Sequence, residues 1–142
     1  GSKRASAYAK YLNVPLVLCQ KTRSRANVVD EIKIIGDVSG KNVIIIDDIV
    51  DTAGTICTAA NAMMEAGAKS VRALCSHCVM SADAPTKVDN SQLEEIVFTN
   101  TIPYHNPLPC RKLKQLSVAK MFAETIYRVY CNESISTQYL IK

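Results

Sequence analysis

Two adjacent carboxylates, Asp47 and Asp48, close the apolar run Val43-Ile44-Ile45-Ile46, and the chain then reaches Asp51-Thr52-Ala53-Gly54-Thr55. Such a pair is suited to accepting hydrogen bonds from vicinal sugar hydroxyls, or to holding Mg²⁺ through water. Small Ala53 and Gly54 let the backbone approach a phosphate closely, and the Thr52 and Thr55 hydroxyls add donors. A helix starting at Gly54 would offer unpaired N–H groups and the positive end of its dipole to an anion. Taken alone, the acidic pair is equally an ordinary strand end, or the metal-binding strand of a P-loop hydrolase. However, no G-x-x-x-x-G-K-[ST] occurs in the chain. Thr-Ala-Gly-Thr alone could be a plain helix cap. It is the succession of apolar run, acids and small hydroxylic loop in one unit that points to a sugar-phosphate site.

The elements that must position this unit follow from periodicity. Arg4 to Leu12 has helical spacing, with Ala5, Tyr8, Ala9 and Leu12 on one face. Leu16 to Cys19 reads as a buried strand, and Gln20 to Asn27, polar and basic, as a mobile loop. Glu31 to Ile35 and Asn42 to Ile46 are predicted strands, the second ending where the acids emerge. Gly54 to Ala66 is a helix burying Ile56, Ala59, Ala60, Met63 and Met64, and Gly67 sits where a left-handed cap belongs. A strand over Ser70 to Ser76, a short helix over Ala84 to Asn90 and a strand over Glu95 to Thr99 follow. Last comes a helix over Val118 to Tyr130, with Val118, Met121, Phe122, Thr125, Ile126 and Val129 facing inward as core or as a subunit contact. Strands alternating with helices predict an α/β domain around a mostly parallel sheet, placing the acids at the carboxyl edge where ligands bind.

The 142 residues fit one domain, and 48% apolar and 21% charged residues are ordinary for a globular protein. The net charge of +4 suits anionic metabolites without implying nucleic acid, because Lys and Arg are dispersed and aromatics are few. No apolar stretch approaches membrane-spanning length, and the first residues show no signal peptide. The six cysteines are therefore expected to be reduced thiols in the cytoplasm. The helical pattern at the start of the chain predicts a fragment, and Gly1-Ser2 is either native or a cloning scar. Cys75-Ser76-His77-Cys78 invites a zinc reading, but no second pair sits at zinc-site spacing and Cys75 falls within a strand. No metal ligand is assigned within the chain. His77 is expected at most to line the site rim, and the Pro-rich Tyr104 to Pro109 carries no assigned chemistry.

The unit Asp47-Asp48-Ile49-Val50-Asp51-Thr52-Ala53-Gly54-Thr55 resembles the phosphoribosyl-binding signature of the type I phosphoribosyltransferase fold, in the form found in ribose-phosphate pyrophosphokinases. Gly1-Ser2-Lys3-Arg4-Ala5 is similar to the end of that family's pyrophosphate loop. Lys21-Thr22-Arg23 with Ala26-Asn27-Val28 is similar to its flexible catalytic loop. Ile35-Gly36-Asp37-Val38, Glu65-Ala66-Gly67-Ala68, Thr99-Asn100-Thr101-Ile102-Pro103 and Asn132-Glu133-Ser134-Ile135-Ser136 extend the likeness along nearly the whole chain.

The resemblance implies transfer of the β,γ-diphosphoryl group of ATP to O1 of ribose 5-phosphate, with Mg²⁺. Asp51, Thr52, Ala53, Gly54 and Thr55 would hold the 5-phosphate, and Asp47 and Asp48 the ribose hydroxyls. Gly1 and Ser2 would end the pyrophosphate loop, and Lys21 and Arg23 would stabilise the transferring group as catalytic cations. It further implies that the chain, residues 1 to 142, is the C-terminal half of a two-half enzyme. The other half would carry most of the ATP site, a catalytic His and a metal-binding His, roles that His77 and His105 cannot take. The fragment is expected to bind ribose 5-phosphate and to be inactive alone. Such enzymes assemble as hexamers and respond to ADP or phosphate, so a homo-oligomer is the expected parent. Self-association of the fragment follows from apolar surface left uncovered. Two alternatives remain: a non-catalytic regulatory relative, against which the loop cations argue, and another type I phosphoribosyltransferase, which would show an aromatic base pocket.

Overall fold

The computed structural model describes residues 2–22 and 31–138. Helix α1 (Ser2–Leu12) leads to an antiparallel ribbon of β1 (Leu18–Thr22) and β2 (Glu31–Ile35), in the register Leu18 opposite Ile35 and Lys21 opposite Ile32. Then follow β3 (Asn42–Val50), α2 (Gly54–Glu65), β4 (Ser70–Cys78), α3 (Ala84–Asn90), β5 (Glu95–Thr99), β6 (Leu113–Leu116), α4 (Ala119–Tyr130) and a 3₁₀ turn, Ser136–Gln138. β3, β4, β5 and β6 pair in that order, all parallel, which makes the expected helix-flanked α/β sheet.

The core lies where α2 and α3 cover the sheet. Ile56, Cys57, Ala60 and Met63 of α2 meet Val71, Ala73 and Cys75 of β4, Ile96 and Phe98 of β5, and Ala84 and Val88 of α3. The helical spacing read from the sequence is the buried stripe here, with Met64 only half-buried. Gly67 adopts φ 90°, and the helix ends as its position predicts. The Gly67 N–H donates to Met64 O and the Ala68 N–H to Met63 O, each at 3.0 Å, closing the last turn around a residue free of Cβ strain. Ile96, 0% exposed in mid-sheet, fixes the packing of β5. Ile96→Ala is expected to cost about 3 kcal/mol in urea unfolding. A loss under about 1 kcal/mol would show that the site collapses to fill the cavity.

Three expectations are corrected, and one strand was not foreseen. Leu16 to Cys19 is no buried strand: Leu16, Leu18 and Cys19 are exposed, and the strand is half of a ribbon outside the main sheet. Gln20 to Thr22 is not loop but the end of β1, because pairing with Lys33, Ile32 and Glu31 satisfies its backbone. Arg23 to Asn27 lies outside the described residues. The core reading of the α4 stripe is the third correction, since Met121, Phe122, Ile126 (68%) and Val129 are exposed, as is Tyr130 (85%), which leaves the subunit-contact reading. Periodicity reports that a face is apolar, not which body covers it, and no described element covers this one. Finally, β6 was not anticipated. Its four residues, Leu-Lys-Gln-Leu, carry too short a pattern to register, although its backbone pairs fully with β5.

The ribbon's base is tightly fitted. Gly36 follows β2 with φ 128°, and a Cβ there would come within 2.9 Å of Val17 Cγ2. Only glycine lets the two strands close at this point.

Candidate functional site

The acids do not end their strand, as the sequence suggested. β3 continues through Asp47 and Asp48 to Val50, and pairs Asp47 with Cys75, Ile49 with His77 and Val50 with Cys78. Parallel pairing with β4 at eight of its nine residues, all but Asp48, accounts for the extension, which a count of apolar residues alone stops short of. Alternation of burial slips at this level in both strands. Val43 and Ile45 pack on the core, and so does Val50; Val71, Ala73 and Cys75 are buried, and so is Cys78. Strict alternation would place neighbouring side chains on opposite faces, so its loss frees Asp47 and Asp48 from that separation.

Asp47 is half-buried and Asp48 exposed. Asp47 Oδ1 accepts the Asp48 N–H at 2.9 Å, and Asp48 Oδ1 accepts the Ile49 N–H at 3.1 Å. Hydrogen bonding with the Asp47 side chain holds the Asp48 carboxyl below the usual carboxylate range, and the charge of Arg4 adds to this. Arg4 Nη2, on α1, stands 3.8 Å from Asp48 Oδ2, an exposed pair whose value is orientation more than stability.

The sheet then turns sharply into α2. Ala53 takes a left-handed φ of 58° while buried, a conformation costing a residue with a Cβ about 1 kcal/mol. Functional sites are where such strain is usually held. The first helical bond runs from the Cys57 N–H to Ala53 O at 3.0 Å, so the N–H groups of Gly54, Thr55 and Ile56 have no acceptor within the helix. A Cβ built on Gly54 meets nothing within 4 Å, so no packing in the protein demands glycine there. That position is open in front of the helix's positive end. Thr52 and Thr55 are exposed around it.

The strand end and the helix start thus bring together Asp47, Asp48, Asp51, Thr52, Ala53, Gly54 and Thr55 at the carboxyl edge of the sheet. Ser2 opens α1, which packs on β3, while Gly1 lies outside the described residues. Lys21 is in β1 opposite Ile32, and Arg23 lies outside the described residues. His77 Nδ1 is 2.8 Å from Thr101 Oγ1, beside β5's end, and His105 lines a cleft of about 630 Å³ that Met80, Ser81 and Asn106 also border.

Sequence reasoning missed Ser81 and Asn106. Ser81 Oγ donates to Asp51 Oδ1 at 2.5 Å, and Asn106 holds the loop that carries Ser81. Their partners lie 30 and about 25 residues away, beyond any local pattern.

Residues 2–141 match the family described as phosphoribosyl synthetase-associated domain. A ribose-phosphate pyrophosphokinase of Porphyromonas gingivalis is 56% identical over 139 residues, which is 98% of this chain and 44% of that protein. One from Campylobacter jejuni is 47% identical over 140 residues, 99% of this chain and 45% of that protein. The crystal structure of a phosphoribosylpyrophosphate synthetase from Mycobacterium smegmatis superposes with a TM-score of 0.79 at 36% identity, over 91% of this chain and 42% of that one. The chain therefore spans less than half the length of these relatives. These overlaps establish kinship over that share, and the C-terminal placement expected from the sequence is not among what they establish. With its α/β fold shared and the match running from residue 2 to residue 141, the chain belongs to the phosphoribosyl synthetase-associated domain family.

Proposed function

We propose that this chain is the ribose 5-phosphate-binding part of a ribose-phosphate pyrophosphokinase. The observation that carries the reading is the strained turn at Ala53. It sets two carboxylates on one side of a short loop and an open helix N-terminus on the other. A phosphate at Gly54–Ile56 would accept unpaired N–H groups and meet the positive end of α2. A ribose extending back along the loop would place its hydroxyls toward Asp47 and Asp48, which can only accept when ionised.

In the reaction of the whole enzyme, O1 of ribose 5-phosphate attacks the β-phosphorus of ATP, O1 loses its proton, and AMP leaves. Mg²⁺ supplies charge neutralisation on the transferring oxygens when bound. Asp47 and Asp48 are hard oxygen donors that fit such an ion. In this reading water and substrate phosphates would fill the ion's other positions. Among the described residues no three His, Cys, Asp or Glu side chains gather as a ligand set. Lys21 and Arg23 are the proposed loop cations, and Gly1 and Ser2 the end of the pyrophosphate loop.

Residues 1–142 form a single domain in this reading. Most of the ATP site lies in the length of relatives that the chain does not span, so the chain alone is inactive. The parent enzyme is a cytoplasmic homohexamer responsive to ADP or phosphate. Among the described residues no helix is long and apolar enough to cross a membrane.

The test is a titration of ribose 5-phosphate into isotope-labelled chain, with and without Mg²⁺, followed by backbone amide shifts. Saturable shifts centred on Asp51 to Thr55 are expected. A folded chain whose amides do not respond would sink the assignment.

A further inference from the structure

The turn that carries Asp51 to Thr55 is clasped by a second strained loop. Val79 and Met80 both donate backbone N–H groups to Val50 O, at 2.9 and 3.2 Å. Ser81 donates twice to Asp51, from its N–H to the carbonyl at 3.1 Å and from its hydroxyl to the carboxylate at 2.5 Å. The segment making these four bonds holds Met80 and Ala82 at φ 50°, a region disfavoured for residues with a Cβ. Something must keep it there. Asn106 does so by donating its Nδ2 hydrogens to Met80 O at 2.6 Å and Ala82 O at 2.9 Å, while its Oδ1 accepts the Leu108 N–H at 3.0 Å. Asn106 thus spends both donors and its acceptor on loop backbone. Three of the five non-glycine residues with positive φ among the described residues, Ala53, Met80 and Ala82, lie in these two apposed segments.

The electrostatics give this arrangement a purpose. Asp51 precedes α2 closely enough for a free carboxylate to fold over the helix N-terminus, where unpaired N–H groups and the dipole attract any anion. There it would compete with a bound phosphate. The Ser81 hydroxyl draws the Asp51 carboxylate toward the loop after β4 instead. We infer that Ser81 and Asn106 are positioning residues for anion binding: Ser81 tethers Asp51 away from the α2 N-terminus, and Asn106 keeps Ser81 within reach. The inference rests on reading Asp51 to Thr55 as the phosphate-binding turn.

Calorimetric titration of inorganic phosphate and of ribose 5-phosphate into the full chain tests it. Ser81→Ala is expected to weaken both ligands about equally, on the order of tenfold, because the competitor acts at the anion and not at the sugar. Ser81→Thr, which keeps the hydroxyl, restores the parent value. On an Asp51→Asn background the Ser81→Ala change has no further effect, a coupling that general loosening of the loop would not produce. Asn106→Ala follows Ser81→Ala in direction, and amide exchange at Ser81 rises in both variants while that at Ile96 holds. Undiminished phosphate binding by Ser81→Ala, or additive losses in the double variant, overturns the inference. A parent chain that binds neither ligand overturns the functional reading itself. In that case Ser81 amide exchange in the free chain still decides whether Asn106 holds the clasp.

Discussion

Gly54→Leu is expected to leave the chain folded and to abolish ribose 5-phosphate binding, with an affinity loss on the order of 100-fold or more. The two effects have opposite signs because they arise in different places. Within the protein a Cβ at Gly54 meets no atom within 4 Å, so the substitution displaces nothing. The first turn of α2 gains a residue of better helix propensity, which adds up to roughly 0.8 kcal/mol of stability. In front of the turn the leucine side chain would occupy the space through which the proposed phosphate reaches the N–H groups of Gly54, Thr55 and Ile56. Thermal unfolding and calorimetric titration of the same sample separate the two. A binding-competent Gly54→Leu chain would place the phosphate elsewhere, and a melting temperature well below the parent's would give the glycine a structural reason that the packing does not show.

The double change Asp47→Asn and Asp48→Asn is expected to cost ribose 5-phosphate about 100-fold in affinity while leaving inorganic phosphate bound as well as before, or better. Each carboxylate that accepts from a sugar hydroxyl makes a charge-assisted bond worth about 1.5–3 kcal/mol. An amide accepts more weakly and also presents hydrogens that donors on the sugar must avoid. For bare phosphate the same change removes two negative charges near an anion site, which favours binding. The ratio of the two affinities is therefore the informative quantity. A parallel loss for both ligands would mean that the acids support the loop rather than read the sugar. No loss for either would remove them from the site.

Much of this arrangement is legible in the amino-acid sequence. The apolar run, the acid pair and the small hydroxylic loop mark the turn, and the structure does set them at one strand end and the helix start that follows it. The α2 stripe and the cap at Gly67 are equally readable, since both depend on residues within a few positions of one another. What escapes is set by distant partners. β3 outruns its apolar run because β4 pairs with it through Val50. Ser81 and Asn106 look like ordinary loop residues until the sheet brings residues 51, 81 and 106 together. The α4 stripe shows a different limit: an apolar face in a chain that spans less than half of its relatives' length need not find its cover within that chain.

Gly36 sits at the foot of the ribbon of β1 and β2, so any change of angle there would be carried out along the ribbon. At about 3.3 Å per residue, Lys21 stands roughly 10 Å out from the Leu18–Ile35 pair at its foot. Tilting the foot by about 15° therefore carries the Lys21 backbone through roughly 2.6 Å, close to one hydrogen-bond length. The fit of Val17 against the bare Cα of Gly36 sets that pitch. A single methyl group added at residue 36 would be magnified along the arm, so the place of Lys21, the proposed loop cation, is gauged at a glycine far along the ribbon from it.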